Sequence, residues 1–362
     1  MSRVTRSAAT SYALSLAAME EASRVGLRQA DLEHLFLALS ISEEPAGQVL
    51  RAEGVTLRAA REAIAEHHTE HLRALGVDHE PPAPGPIVFH QTGGYEWSER
   101  AQRVITLANK HGSGDAGAVL RELLAEPSGL AAELLARLGT SAAAVTERLE
   151  VAERIPTFGS RRAQAGPGAE RPGVAAEREV TSPGASPARN QLMRTGTAFV
   201  PAPVAELWEL LIAAERMPEW DVIVGEVELP AELRGLHPKL GDAWAATARS
   251  EAPDGKPMRV RPERRSLLVE LTQLDEHSRI EWRMSFPDEP SANTRVIALS
   301  LAPAAGGTQL GITFGWQPPA DRPAAGPLRR AQRVLLRPAL RFVLWLQVAQ
   351  LGSGISRVFR SA

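Results

Sequence analysis

Two kinds of apolar periodicity divide this chain. In its N-terminal part, apolar residues recur three and four residues apart, the spacing of an amphipathic helix. In its C-terminal part, apolar and polar residues alternate, which is typical of strands with one buried face. The segment 279–286 alternates strictly, and the segment 309–316 does the same. The pattern therefore predicts a helical region followed by a region rich in antiparallel strands.

The helical pattern occurs twice, with apolar type, spacing and a closing glycine all retained. Ala18, Met19, Ala22, Gly26, Leu35, Ala38, Leu39, Ala46, Val49, Leu50 and Gly54 recur as Val104, Ile105, Ala108, Gly112, Leu120, Leu123, Leu124, Ala131, Leu134, Leu135 and Gly139. A unit of this size cannot bury its own apolar face and packs against its copy. We predict an all-α domain at residues 7–153, built from four-helix copies at 7–76 and 97–153.

The C-terminal part predicts an α+β domain at residues 192–360. A strand at 192–200 is followed by a helix at 204–214, and further strands are expected at 242–249, 266–274, 279–286, 294–301 and 309–316. A long helix at 328–351 closes the order, so we expect a curved antiparallel sheet around a long C-terminal helix. Residues 157–190 are rich in Gly, Ala, Pro, Ser and Arg and predict a disordered linker. The chain is therefore expected to be multidomain.

Composition and charge exclude several classes of function. The chain is 44% hydrophobic and 23% charged, with a net charge of -2, which gives no reason to expect nucleic acid as a partner. It has no Cys, so disulfides and thiolate chemistry are excluded. The pattern holds neither a secretory signal nor a transmembrane segment, and we expect a cytoplasmic location.

The first helical copy resembles a known family. Residues 31–39 read DLEHLFLAL, which looks like the Glu-His-Leu-Leu-Leu-Ala-Leu helix of the Clp N-terminal (Clp repeat) domain. The second copy has Ala118 and Val119 where the first has Glu33 and His34. That family docks substrates or adaptor proteins, so the resemblance implies a protein or peptide partner. It makes Glu33 and His34 candidate contacts, although a packing histidine is the simpler interpretation of His34.

The C-terminal part resembles the START-like, polyketide cyclase/dehydrase superfamily of helix-grip proteins (SRPBCC). The resemblance is carried by residues 199–211, which read FVPAPVAELWELL, by MPEWD at 217–221 and by GDAW at 241–244. It implies the helix-grip fold over residues 192–360. Because the superfamily includes lipid carriers, cyclases and hydrolases, the resemblance leaves the activity open.

The sequence offers no positive sign of catalysis. There is no Gly-x-x-x-x-Gly-Lys-Ser/Thr loop, so the ATPase ring of a Clp unfoldase is absent. No nucleophilic triad or paired-carboxylate spacing stands out, and we name no catalytic residue and no cofactor. His67 and His71 are one helical turn apart, but His68 stands where a His-Glu-x-x-His motif needs Glu. A solvated helix face explains them better than a metal site.

Aromatic residues on the strand faces are the candidates for a ligand cavity. Trp282 and Trp316 lie on apolar strand faces that the long helix is expected to cover, and Arg249 is a candidate polar group. The candidate cavity residues are Trp244, Arg249, Trp282, Met284, Phe286, Phe314, Trp316 and Phe342. The sequence leaves open whether they line a cavity or fill a core.

These observations favour a non-enzymatic binding protein. The repeat would recognise a protein or peptide, and the helix-grip domain would hold an apolar small molecule. One alternative is a cyclase or dehydratase in the C-terminal domain, with the repeat as a localising module. Another is a helix-grip domain with a filled core and no ligand.

Overall fold

The computed structural model describes residues 3–78, 83–88, 94–154, 192–230, 237–252, 256–319 and 327–361. For residues 3–7 and 327–338 it describes the backbone alone. The predicted linker at 157–190 lies outside the described residues.

The N-terminal part is helical, as predicted. Its helices are α1 (Arg3–Arg24), α2 (Leu32–Ser40), α3 (Pro45–Ala52), α4 (Leu57–Ala74), α5 (Glu99–His111), α6 (Ala116–Leu124), α7 (Leu130–Arg137) and α8 (Ala142–Arg154). Side chains cap the starts of four of them: Asp31, Thr56, Ser98 and Asp115 each accept a hydrogen bond from a backbone N–H of the first turn. These caps explain why the helices begin where the polar residues interrupt the apolar pattern.

The helices share one core. Buried residues from α1 to α4, such as Leu35 and Leu50, belong to the same cluster as Leu120, Leu134 and Leu149 from the later helices. Two short strands, β1 (Gln29–Ala30) and β2 (Glu96–Trp97), pair in parallel and join the two halves. Helices α1 to α8 therefore form one packed unit, whereas the internal repeat itself stays a prediction.

A seven-stranded antiparallel sheet dominates the C-terminal part. Its strands are β3 (Leu192–Val200), β4 (Val224–Glu228), β5 (Ala243–Ala248), β6 (Ser266–Asp275), β7 (Arg279–Ser285), β8 (Thr294–Ala304) and β9 (Gly307–Gln317). Their spatial order is β3-β9-β8-β7-β6-β5-β4, which makes β3 an edge of this sheet. Between β3 and β4 lie the helices α9 (Val204–Ile212) and α10 (Met217–Trp220). The long helix α11 (Pro327–Arg360) follows β9.

Helix α11 packs on the sheet through its C-terminal half. Leu344, Val348, Leu351 and Ile355 are buried in the same core as the apolar side chains of β7 and β9. The helix approaches β3 closely because Gly196 has no side chain: a Cβ there would lie 2.6 Å from a methyl carbon of Val348. The prediction of an antiparallel sheet against a long C-terminal helix is confirmed. No helix in the described part of the chain is both long enough and apolar enough to cross a membrane.

Candidate functional site

A cavity of about 360 Å³ lies where the helical part meets the sheet part. On one side it is lined by α1, the end of α2 and the loop before α3, and on the other by β3 and α11. Its lining residues are Ala9, Thr10, Tyr12, Ala13, Leu14, Leu16, Ala17, Ala38, Ile41, Ser42, Glu43, Glu44, Arg194, Thr195, Gly196, Thr197, Ala198, Phe199, Trp345, Val348, Ala349, Gly352, Ser353, Ser356 and Arg360. The cavity is thus formed by both parts of the chain together.

Aromatic rings and an edge strand give this cavity its chemical character. The rings of Tyr12 and Trp345 meet edge to face across it, with centroids 6.2 Å apart. Residues 194–199 of β3 line the cavity, and among the described strands β3 pairs only with β9, so its other edge is unpaired. A sheet edge presents backbone N–H and C=O groups. The site therefore combines apolar walls with polar side chains, among them Thr195 and Thr197 of β3.

Glu43 is an acidic residue of the cavity whose pKa is raised. It lies half-buried in the α2–α3 loop and accepts a hydrogen bond from the hydroxyl of Thr197 on β3. Burial raises the pKa of the Glu43 carboxyl to about 7, with the charge of Glu44 adding to this effect and the Thr197 bond opposing it. Near neutral pH, this carboxyl can therefore donate or accept a proton.

Glu44, its neighbour, is fixed in a different direction. One of its carboxylate oxygens accepts a hydrogen bond from Thr10 on α1, and the other accepts one of 3.0 Å from the backbone N–H of Ala116 at the start of α6. A carboxylate at a helix N-terminus is stabilised by the helix dipole. Glu44 thereby holds the loop in place while Glu43 faces the other domain.

Most of the candidate cavity residues predicted from the sequence lie in the core of the sheet domain and not at the 360 Å³ cavity. Trp244, Trp282, Met284 and Phe314 are buried in its core, with Phe286 and Trp316 packed against them. The ring centroids of Trp244 and Trp282 are 5.6 Å apart, and those of Phe314 and Trp316 are 5.5 Å apart. Neither these residues nor Arg249 and Phe342 line the 360 Å³ cavity.

Arg249 and Phe342 lie apart from that aromatic group. The guanidinium of Arg249 donates to the backbone carbonyl of Pro218 and lies 3.3 Å from that of Val224, so it holds the α10–β4 connection. Phe342 is 62% exposed and packs on Trp345, with ring centroids 5.7 Å apart. Phe342 therefore lies next to the 360 Å³ cavity, on the side of Trp345 that faces solvent.

The core of the sheet domain holds an ion pair that the sequence analysis missed. Arg295 Nη1 lies 2.7 Å from Asp221 Oδ2, and both residues are buried. The same nitrogen donates to the sulfur of Met284 at 3.2 Å, and the guanidinium carbon is 5.2 Å from the centre of the Phe314 ring. The alternation of β8 could have indicated this buried charge, since Arg295 lies on the same strand face as the apolar residues Ile297 and Leu299.

Glu33 and His34 lie in the first turn of α2. The Asp31 backbone N–H donates to His34 Nδ1 at 3.1 Å, which completes a capping box with the Asp31 side chain. Burial lowers the pKa of the His34 imidazole, and the neutral ring is the form that accepts this bond. His34 is buried, and the Glu33 side chain is only 12% exposed.

His67 and His71 stack on one face of α4, with ring centroids 6.4 Å apart. His67 Nδ1 lies 3.5 Å from a carboxylate oxygen of Glu133 on α7. Within the described residues, no group of three or more His, Asp or Glu side chains is arranged to hold a metal ion.

Comparison with known proteins identifies the sheet domain. Residues 194–344 match the family described as "Polyketide cyclase / dehydrase and lipid transport". No curated protein matches the chain.

Three of the solved structures similar to the chain are matched over almost their whole length. Protein CV1439 from Chromobacterium violaceum is 16% identical, with 46% of this chain and 97% of that chain covered and a TM-score of 0.29. Ara h 8.0201 is 16% identical, with 48% and 100% covered and a TM-score of 0.30. Protein SA2116 from Staphylococcus aureus is 12% identical, with 47% and 97% covered and a TM-score of 0.32.

Proposed function

We propose that the protein binds an apolar small molecule, a role consistent with the match of residues 194–344 to the polyketide cyclase/dehydrase and lipid transport family. The observation that carries this proposal is the cavity of about 360 Å³ between α1 and the β3–α11 face. Small-molecule sites typically measure about 300–1,000 Å³ and combine apolar walls with a few placed polar groups. This cavity meets both conditions.

The position of the polar groups defines the kind of ligand. Leu14, Leu16 and Trp345 supply apolar surface, whereas Glu43 and the β3 residues Thr195 and Thr197 supply hydrogen-bonding groups. We expect an apolar body, held against the rings of Tyr12 and Trp345, with one polar group directed at Glu43. The interior residues predicted from the sequence, such as Trp282 and Phe314, fill the core in this proposal, because both have no exposed surface.

We further propose that the helical domain docks a protein. The resemblance of residues 31–39 to the Clp repeat supports this role. Further support comes from helix lengths: α2 and α3 have 9 and 8 residues, and so do α6 and α7, the helices at the same positions of the second copy. This role does not involve Glu33 and His34 as free surface groups, since His34 is buried in the capping box of α2 and the Glu33 side chain is only 12% exposed.

An enzyme of the cyclase or dehydratase kind is the second candidate, and Glu43 favours it. A carboxyl with a pKa of about 7 in a cavity is suited to general acid–base catalysis. In such a reaction Glu43 would transfer the proton, and Thr197 would orient its carboxyl group. Glu43→Gln separates the two candidates, because glutamine can still hydrogen-bond a ligand but cannot transfer a proton. A binding protein therefore keeps most of its affinity, whereas an enzyme loses its turnover.

The test of ligand binding uses the purified full-length protein and an uncharged apolar fluorophore, N-phenyl-1-naphthylamine. Ala13 is exposed on α1 and lines the cavity, so Ala13→Phe narrows the site without adding volume to the core. Ala65 is an exposed alanine of α4 away from the cavity, and Ala65→Phe is the matched control.

We expect Ala13→Phe to weaken fluorophore binding about tenfold or more, equivalent to about 1.4 kcal/mol. Ala65→Phe should bind like the wild type. Equal affinity in all three proteins would show that the cavity is not the site. Native mass spectrometry of the same preparations then identifies any small molecule that co-purifies.

A further inference from the structure

Helix α1 carries two adjacent buried carboxylates. Glu20 and Glu21 are 0% and 2% exposed, although they belong to a helix whose other buried residues are mainly apolar and small. A carboxylate without a partner is costly to bury, because it loses its hydration and gains nothing in return. Their burial therefore requires cations close by.

The C-terminal helix supplies most of those cations. Arg357 Nε donates to Glu20 Oε1 at 2.8 Å, and Arg360 Nη2 pairs with the other carboxylate oxygen of Glu20. Arg360 Nη1 lies 3.4 Å from Glu21 Oε1. All the partners that the structure gives to the Glu20 side chain thus come from α11, a helix of the other domain.

Arg61 of α4 completes the cluster from within the helical domain. Its Nε and Nη2 each lie 3.0 Å from one oxygen of Glu21, and Nη2 also donates to the backbone carbonyl of Arg360 at 2.9 Å. Burial by itself lowers the pKa of the Arg360 guanidinium, but the charges of Glu20 and Glu21 outweigh burial and raise it. Each of the two carboxylates is therefore paired with at least two guanidinium groups.

The spacing of the two arginines fits this arrangement. Arg357 and Arg360 are three residues apart and lie on the same face of α11. A planar guanidinium offers several directed donors, so an arginine pair matches two adjacent carboxylates better than lysines would. The contact between the domains extends beyond the cluster, since the Arg51 guanidinium carbon lies 3.7 Å from the centre of the Phe199 ring on β3.

We propose that Glu20 and Glu21 form the docking site of the helical domain for a helix bearing Arg-x-x-Arg, and that α11 of this same chain occupies it. The protein partner of the helical domain is thus the C-terminal domain, held in cis. This inference rests on the proposed docking role of the helical domain, but it does not require a ligand in the cavity.

The test separates the two domains without expressing them apart. A recognition sequence for a site-specific protease is inserted at position 173 of the full-length chain, within the predicted linker, and the purified protein is then cut. We expect the two pieces to stay together in size-exclusion chromatography at about 1 µM, a concentration at which weakly associating proteins separate.

Paired variants assign the association to the ion cluster. Glu20→Gln combined with Glu21→Gln removes the carboxylates, and Arg357→Gln combined with Arg360→Gln removes the cations from the other side. Glu62 and Glu66 are exposed on α4, so Glu62→Gln with Glu66→Gln is a control of equal charge change. Each cluster variant should weaken association about 100-fold or more, because it leaves buried charges without partners. The control pair should not weaken it.

Circular dichroism before cutting shows whether each variant is folded. If the glutamine pair in α1 disrupts the helical domain, the arginine variant alone decides, because its substitutions lie on the opposite domain. Separation of the wild-type pieces at about 1 µM, or wild-type association in the folded arginine variant, overturns the proposal. If the two pieces stay associated but the protein does not bind the fluorophore, only the proposal of a ligand in the cavity is contradicted, and the docking proposal stands.

Discussion

The Glu43 carboxyl accepts a hydrogen bond from the Thr197 hydroxyl, and this bond joins a loop of the helical domain to the edge strand of the sheet. Burial raises the pKa of Glu43 to about 7. The contact between the domains therefore contains a group that titrates near neutral pH. The protonated form suits this half-buried position, whereas the ionised form brings a negative charge beside Glu44.

Glu43 makes stability depend on pH in a definite direction. In the folded chain Glu43 keeps its proton up to about pH 7, whereas an ordinary glutamate loses it near 4.5. The folded state thus binds more protons between these values, and the free energy of unfolding contributed by Glu43 falls as pH rises from about 4.5 to about 7. Below about pH 4.5 the stability contributed by Glu43 is fully present, and well above pH 7 it is lost.

Glu43→Gln should remove that part of the pH dependence. The glutamine cannot ionise, so the variant should gain stability relative to the wild type as pH rises from 5 to 8 in urea titrations. Glu66→Gln, at an exposed site of α4, is the control. Parallel pH profiles for the wild type and Glu43→Gln would contradict the assigned pKa.

The buried pair in the sheet domain predicts a large loss of stability. Arg295→Met leaves the Asp221 carboxylate, which also accepts hydrogen bonds from the backbone N–H groups of Ile223 and Val224, without its cation. Removing one partner of a buried ion pair costs about 3–5 kcal/mol. Arg283→Met on the neighbouring strand is the control: its side chain is 43% exposed, so we expect a loss below about 1 kcal/mol. Urea unfolding followed by tryptophan fluorescence measures both.

Two glycines in helices predict opposite responses to alanine. A Cβ on Gly354 of α11 would lie 2.5 Å from the backbone carbonyl oxygen of Trp220, which cannot move without shifting α10. Gly354→Ala should destabilise the protein by about 1–3 kcal/mol, although alanine favours helices by about 1 kcal/mol. A Cβ on Gly117 of α6 meets only the mobile end of Glu153 within 3 Å, so Gly117→Ala should be neutral or slightly stabilising. Thermal unfolding of both variants distinguishes these signs, and equal effects would refute the argument.

Ending the chain after residue 326 should unfold the sheet domain. The truncation removes Leu344, Val348, Leu351 and Ile355 from its core. Burying each such side chain contributes about 1.5–3 kcal/mol, so the loss is comparable to the whole stability of a domain, about 5–15 kcal/mol. We expect the fluorescence of Trp282 and its neighbours to lose its cooperative thermal transition. A truncated protein that retained that transition would show that α11 is dispensable for the sheet.

Alternation allowed most of the sheet to be predicted from sequence. The predicted strand 279–286 is β7, and the predicted strands 294–301 and 309–316 are β8 and β9, which pair with each other. Strand β4 was missed because it is short, has few apolar residues and carries a register shift between Val224 and Glu226 that interrupts the period-two pattern. Regular periodicity is visible in sequence, whereas an irregular edge strand is defined by its neighbours.

The contact between the domains could not be predicted from periodicity in the sequence. Periodicity describes one element at a time and says nothing about partners from a distant element. Glu20 and Glu21 look solvent-facing in sequence, because nothing near them shows that Arg357 and Arg360 will cover them. Glu43 stands in a loop without any periodic pattern. Most of the candidate residues of the strand faces lie together in one core, but alternation alone could not show whether that core is filled or leaves a space for a ligand.

The buried carboxylates of α1 also have a consequence for biosynthesis. Glu20 and Arg360 are separated by 340 positions in the chain. A ribosome makes the helical domain first, and domains generally fold in that order. Glu21 meets Arg61 early, but Glu20 has no cation from the described part of the helical domain and must stay hydrated until translation of α11 is complete. The first domain therefore reaches its mature state only when the last helix has been synthesised.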